Sequence, residues 1–480
     1  MLKTEQQVTP GFRCLSDTQI REIHRAILEV LERTGTEVYD EESLDLLRQA
    51  GAKIDGTRVR LAPGLVEWAI EAAPRQITLY DRDGRAVMDL SGSNVYFGPG
   101  PSCPNILDIH TGERRLVRYE DVVDYARLCD ALPNIDFMMS MGIIADEPAV
   151  TDVLEFAAMA TNTRKPIVAW SWTAEGAQEV LDIALAYRRD LQDLQESPFY
   201  LFYTEPSAPL RHSHDALQKL LFSVERRLPV IYGAGPVGGA SSPVTVEGMI
   251  VTGAAEVLAG LVIAQLKSPG TPFVFGTGTG PIDMSTMIVA YGAPEFILGQ
   301  VALCDIARYY QLPSWGFGGC SDAKLPDQQA AMQAALWNLM SGLAGANLVH
   351  DVGFLESGMT GSMESIVMND EIVGIVKRLL GGIKVTPEEL ALTTIHDVGP
   401  GGHFLGTEHT WRHFRENWQP GITDRNIYEI WAANGKSTMG ERARTKVLAI
   451  LAGSQPVDAK KAEYIGHIIA KARQRTASIK

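Results

Sequence analysis

Between residues 94 and 352 one pattern recurs eight times, and it limits the folds open to this chain more than any other feature. Short runs rich in β-branched and aromatic residues end in glycine or a small polar residue, and a stretch with helical periodicity follows each one. The runs are 94–100 (NVYFGPG), 137–143 (FMMSMGI), 166–172 (PIVAWSW), 198–204 (PFYLFYT), 229–235 (PVIYGAG), 272–278 (PFVFGTG), 313–319 (PSWGFGG) and 346–352 (ANLVHDV). Helices are expected near 119–131, 149–163, 175–189, 213–227, 245–267, 294–311, 326–344 and 364–380. Parallel strands need a crossover between them, and helices supply it, so eight strands alternating with eight helices predict an α/β fold of the (β/α)8 TIM-barrel type. A doubly wound open sheet is the alternative. The unbroken alternation favours the barrel.

The segments on either side set the expected organisation. Residues 1–93 read as a helical preface, 94–380 as the barrel and 381–480 as a C-terminal helical cap. In the preface, Ser16 and Gln19 form a capping box ahead of Ile20, Ile23, Ile27 and Leu31 at helical spacing. Gly35 and Gly51 each stop a helix, and ITLYDRDGRAVMDL turns at Asp83-Gly84 as a hairpin. Gly248–Leu266 is long enough to cross a bilayer, but Glu256 stands at its middle, so a buried core helix is expected there.

Composition narrows the function classes. Net charge is −15, which argues against nucleic acid or an anionic membrane as the partner. The five cysteines form no C-x-x-C pair, and the first residues carry no apolar leader; a cytoplasmic protein with reduced thiols is expected. Gly233, Gly235 and Gly238 match the dinucleotide fingerprint, yet Pro236 interrupts and the helix starts only near Thr245, so no dinucleotide site is expected. Zinc signatures, a G-x-S-x-G elbow and a P-loop are all missing from the sequence. His409 and His413 at i, i+4 could hold a metal, but no metal site is assigned.

Aromatic residues crowd the ends of the runs where barrel enzymes place their chemistry. Tyr96, Phe97, Trp170, Trp172, Phe202, Tyr203, Tyr232, Phe275, Trp315, Phe317, His350 and Phe354 are all there. Strand residues alternate faces, so about half should point inward. Together they could form an aromatic box, the usual holder of a quaternary ammonium group.

Four blocks carry a resemblance that covers nearly the whole chain: 315–330 (WGFGGCSDAKLPDQQA), 343–358 (LAGANLVHDVGFLESG), 364–383 and 399–420. They resemble the trimethylamine methyltransferase family, whose members have a (β/α)8 barrel and pass a substrate methyl group to cob(I)alamin on a partner protein. Trimethylamine enzymes of that family carry pyrrolysine, whereas this chain is written wholly in standard residues. The resemblance therefore implies the non-pyrrolysine branch, similar to glycine betaine:corrinoid methyltransferases, with proline betaine or carnitine as alternative substrates. It implies no tightly bound cofactor. It also implies a corrinoid protein that docks over the strand ends, exposed glycine-rich loops at 235–243 and 278–287, and room for a homo-oligomer.

On this reading Tyr96, Phe97 and Phe354 are expected to enclose the trimethylammonium group. Trp172, Tyr203, Phe275 and Trp315 are further candidates. His350, with His403 as a second choice, is expected to bind the carboxylate. The competing readings are a barrel lyase or hydrolase using Asp322, Lys324, His350 or Asp351 as acid–base groups, and a non-catalytic betaine-binding protein.

Overall fold

The computed structural model describes residues 9–456, 458 and 461–477. The preface begins where Ser16 accepts from the Gln19 amide and the Gln19 side chain accepts from the Ser16 amide, a closed capping box that starts helix α1, Asp17–Glu29. Ile20, Ile27 and Leu28 form its buried stripe, and the chain leaves through Gly35 at φ +74°. The expected hairpin is an antiparallel pair, β1 (Ile77–Tyr80) and β2 (Ala86–Leu90), around Gly84 at φ +89°.

The repeated unit supplies seven parallel strands and one bridging segment. The strands are β3 (Tyr96–Phe97), β4 (Ile167–Ala169), β5 (Tyr200–Thr204), β6 (Val230–Ala234), β7 (Phe273–Thr277), β8 (Trp315–Phe317) and β9 (Leu348–His350). β4, β5, β6 and β7 pair in that order, and so do β8, β9 and β3. A parallel bridge from Phe275 to Ser314 joins the two groups on one side. On the other side the segment around Met138 bridges in parallel to Ile167, while the Asp136 amide donates to the Phe97 carbonyl at 2.6 Å. Each run thus lies beside the next, and the last lies beside the first. The second run is too irregular to form a continuous strand and takes part through these isolated pairings.

Helices follow the strands as the periodicity predicts. They include α2 (Thr151–Asn162), α3 (Val246–Lys267), α4 (Gln328–Ala344) and α5 (Met363–Leu380). Among the described residues α3 is the one helix long and apolar enough to cross a membrane, and the fold buries 83% of that stretch. Its Glu256 accepts from the Leu210 amide at 2.7 Å, and burial pushes the carboxyl up to about 7.

Packing separates two layers. Phe137, Met139, Val168, Leu201, Ile231, Val274, Trp315 and Leu348 share one interior cluster, and Ile77, Leu79, Met88 and Leu90 of the hairpin join it. The hairpin therefore stops the end at which the strands begin, leaving the opposite end for chemistry. Phe97, Phe202, Tyr232 and Phe275 lie in the outer layer against the helices. Because Leu79 is fully buried in that stopper, Leu79→Ala is expected to cost about 2–5 kcal/mol. Urea unfolding should record the loss, with the secondary structure intact by circular dichroism.

Candidate functional site

Alternation along the strands decides which aromatic residues can meet a ligand. Gly233 and Gly276 face inward. A Cβ on Gly233 would stand 3.0 Å from the Tyr203 ring, and one on Gly276 would stand 2.5 Å from the Trp315 Cβ. Their neighbours Tyr232 and Phe275 must then point out, as Phe97 does beside Gly98. Tyr203 on β5 and Trp315 on β8 therefore lean over glycines on the neighbouring strands β6 and β7.

Above this packing a cavity of ≈ 240 Å³ opens at the ends of the second, third and fourth runs. Met139, Trp170, Trp172, Tyr203, Glu205 and Lys219 line it, with Pro101 and Ser102 at its edge. The indoles of Trp170 and Trp172 meet edge to face, centroids 4.7 Å apart at 89°. Trp172 is fixed by Asp152, which accepts from its amide at 2.9 Å, and by its ring N–H to the Pro148 carbonyl at 3.1 Å. The Tyr203 hydroxyl donates to Glu205 Oε2 at 2.7 Å, and Lys219 Nζ donates to the Ser171 carbonyl at 2.9 Å.

The electrostatics suit a cation that sheds no proton. The crowded cavity wall pushes the Glu205 carboxyl up, while the Tyr203 hydroxyl and Lys219 oppose that rise. Burial lowers Lys219, and Glu205 counters the drop. One layer behind, Glu155 of α2 accepts from the Trp170 ring N–H at 2.9 Å, Ser102 Oγ at 2.9 Å and Thr151 Oγ1 at 2.8 Å. Burial pushes Glu155 up to about 7 despite these donors.

Next to the cavity, Trp315 stacks on His350 with centroids 4.0 Å apart at 17°, and Tyr203 lies 5.9 Å from Trp315. His350 Nδ1 is 2.6 Å from the Gly316 carbonyl oxygen, which can only accept. The proton therefore sits on Nδ1, and Nε2 offers a lone pair. Burial also lowers this imidazole to about 3. Asp351, at φ +70°, places Oδ1 3.4 Å from Nε2, and burial raises its carboxyl well above the carboxylate range. In this geometry a neutral His350 ring spends its one N–H on Gly316, so the expected donation to a substrate carboxylate would need a second proton on Nε2.

Of the acid–base groups of the lyase reading, His350 and Asp351 are in contact, while Asp322 and Lys324 are engaged elsewhere in the loop after β8. Asp322 accepts from the amides of Tyr291 and Gly292 and from Ser357 Oγ, and Lys324 donates to its main-chain carbonyl. The Cys103 and Cys320 thiols are buried and pushed up, which removes both as thiolate nucleophiles at neutral pH.

A match to the trimethylamine methyltransferase (MTTB) family covers residues 2–477. The chain belongs to that family. Relatives include the trimethylamine methyltransferase MttB of Desulfitobacterium hafniense, 33% identical over 93% of this chain and 90% of that one. A glycine betaine methyltransferase of the same species is 31% identical over 96% of this chain and 98% of its own length. The MttB of Methanosarcina thermophila is 32% identical over 92% and 94%. In fold the chain is similar to the crystal structure of the hydroxylamine MtmB complex, with a TM-score of 0.50 and 14% identity over 93% of this chain and 89% of that one.

Within this family member the expected site residues are dispersed. Trp172 and Tyr203 line the cavity, and Trp315 and His350 adjoin it. Phe97 and Phe275 are buried in the outer layer and cannot enclose a ligand, because the inward glycines set the opposite face for them. Tyr96 lies at the stoppered end, where its hydroxyl accepts from the Asp89 amide at 2.9 Å. Phe354 is buried beyond β9 near Tyr291 and Gly358, and His403 is exposed in the segment after α5. Sequence reasoning passed over Glu205, Lys219 and Glu155. Glu205 had a signal: it stands two residues after Tyr203 and so shares its face.

Ionisation of Glu155 puts a negative charge behind Trp170, so cation affinity should rise with pH through about 7. Tetramethylammonium binding measured by calorimetry is expected to tighten several-fold, about 1 kcal/mol, between about pH 6 and 8. Glu155→Gln should flatten that dependence. For stability the sign is opposite: the raised carboxyl pKa makes the folded state the better proton binder between the unfolded value and about 7, so this group's contribution is lost as pH rises across that window.

Proposed function

We propose that this chain takes a methyl group from glycine betaine and delivers it to cob(I)alamin on a separate corrinoid protein, at the mouth of a (β/α)8 barrel spanning residues 94–380. The observation that carries the reading is the cavity with three aromatic rings, one carboxylate and one lysine. A trimethylammonium group has no N–H to donate, so it is held by ring faces and diffuse negative charge. Trp170, Trp172, Tyr203 and Glu205 provide both. A betaine also bears a carboxylate, and Lys219 is the cation beside it. Both kinds of relative, one named for trimethylamine and one for glycine betaine, match at similar identity; the lysine and the absence of pyrrolysine favour the betaine. Proline betaine and carnitine share the same two charges and are the substrates to compare.

The chemistry asks little of the protein. The N–CH3 bond breaks, its electron pair stays on nitrogen, and the leaving group is dimethylglycine with a neutral amine and its carboxylate still charged. The carbon bonds to cobalt, whose two electrons make the new bond as Co(I) becomes Co(III). No proton moves, so no general acid is required and positioning supplies the rate. Exposed Val244, Met284, Met287, Ile288 and Met359 on loops beyond the strands form an adaptable apolar rim on which a cytoplasmic corrinoid protein can dock. The preface and the segments after 380 serve this barrel from outside.

Incubation with glycine betaine and a corrinoid protein reduced to Co(I) should give the absorbance of methyl-Co(III); binding without turnover would leave only a betaine-binding protein. Glu205→Gln is expected to raise the betaine Kd by about fivefold or more. Lys219→Met should weaken glycine betaine by roughly tenfold, a lost charge-assisted contact of about 1.4 kcal/mol, while leaving tetramethylammonium unaffected. Equal losses for both ligands would remove the carboxylate contact. Met287→Asp should slow transfer to the corrinoid protein by about tenfold without changing betaine Kd, as read in single turnovers.

A further inference from the structure

After α5 the chain enters a segment whose one buried large apolar side chain, among the described residues, is Ile422. Helices Pro387–Leu390, Leu392–Val398, Glu408–His413 and Tyr428–Ala433 contain no buried residue. Between residues 383 and 430 twelve large apolar side chains are exposed, led by Leu405 at 88%, Ile383 at 80% and Trp411 at 76%. Short helices are not stable in water by propensity alone, and they hold their shape by burying a face. The segment is tethered to its own chain chiefly where Glu371 of α5 accepts from the amides of Gly421 and Thr423.

A matching surface lies on the two helices beside its root. α4 exposes Met332 and Leu336, and α5 exposes Ile375 and Leu379. Each pair is spaced i, i+4, so each forms a stripe, and α4 packs directly against α5. The chain's own arm leaves both stripes uncovered. One molecule therefore carries an apolar arm and an apolar receiving face without joining them.

We propose that residues 383–430 form an exchange arm that packs on α4 and α5 of a second copy of this chain, making a two-fold dimer. A self-complementary pair of surfaces is what an isologous interface requires. The area agrees: twelve side chains exposing on the order of 100 Å² each come to ~1,200 Å² per copy, above the ~800 Å² per partner of a standard interface and the ~300–600 Å² patch of a typical monomer. α5 runs back from the strand ends, so the arm departs from the end opposite the mouth and leaves the corrinoid-docking rim free. Copies of net charge −15 repel one another, and apolar contact is the interaction that can overcome this.

Sedimentation velocity on the full-length protein should give a dimer at micromolar concentration in about 0.15 M salt, and equally in about 1 M salt, where surface ion pairs are screened. Leu405→Asp with Trp411→Asp should give monomers with unchanged circular dichroism and betaine Kd. Leu336→Asp with Ile375→Asp on the receiving face should do the same. Mixing the two double variants leaves one arm-to-face contact intact in each mixed pair, so it should restore a weaker, one-sided dimer that neither variant forms alone. A monomeric parent protein overturns the proposal, as does a dimer indifferent to both sets. Arm variants that stay dimeric but lose binding to the corrinoid protein would assign the arm to that partner and overturn it too.

Discussion

Everything at the working end depends on how the inward positions are shared among neighbouring strands. A small ring cannot hold a large side chain at every inward position. Here Tyr203 of β5 and Trp315 of β8 are large and Gly233 and Gly276 make room for them, as Gly98 does for Phe137. Such big-to-small packing keeps interior density high. It also pushes the free space off centre, toward the second to fourth runs, where Met139, Trp170 and Tyr203 border the cavity. The hairpin reinforces the asymmetry by filling the other end with Ile77, Leu79, Met88 and Leu90. A ligand has one way in.

That off-centre space carries a particular electrostatic character. Glu155 and Glu205 are both held above the ordinary carboxylate range by the protein around them. Each acid is stabilised by a donor on an aromatic residue, the Trp170 indole or the Tyr203 hydroxyl. The same rings that would face a cation are therefore anchored through their polar edges to negative charge. Ring and carboxylate can act together on an ammonium group, with Glu155 buried away from water behind the Trp170 ring and Glu205 exposed at the rim. His350 is neutral by comparison, and its stacking against Trp315 makes it part of the wall.

The architecture was legible because periodicity reports on packing. Helix limits such as Tyr119–Ala131 and Val246–Lys267 fall within a residue or two of the expected spans, since each helix turns one apolar stripe or its whole surface to the strands. The aromatic site was less legible, and the reason is a parity error. Counting aromatics per run treats Phe97 and Tyr96 alike, though one strand position separates inside from outside. The run endings hold the missing information: in Phe97-Gly98, Tyr232-Gly233 and Phe275-Gly276 the glycine is the inward residue, which sends its aromatic neighbour out. Carrying that parity one step past Tyr203 reaches Glu205. Lys219 and Glu155 had no such signal, because they come from helices whose rotation about the ring only the fold reveals.

The same reasoning separates the two faces on which this protein can meet other chains. At the mouth, apolar residues such as Met284, Met287 and Ile288 sit on loops that the strands present but do not support. Such a rim is small and adaptable, and it suits a partner that must arrive, exchange one carbon and leave. Behind the last helix the exposed apolar surface is larger and belongs to helices with no core of their own. A transient contact would leave those helices unsupported between encounters, so their occupant has to be permanent. Size and rigidity thus assign the lasting interface to the rear of the molecule and the passing one to the front. The cavity at the strand ends stays open between them.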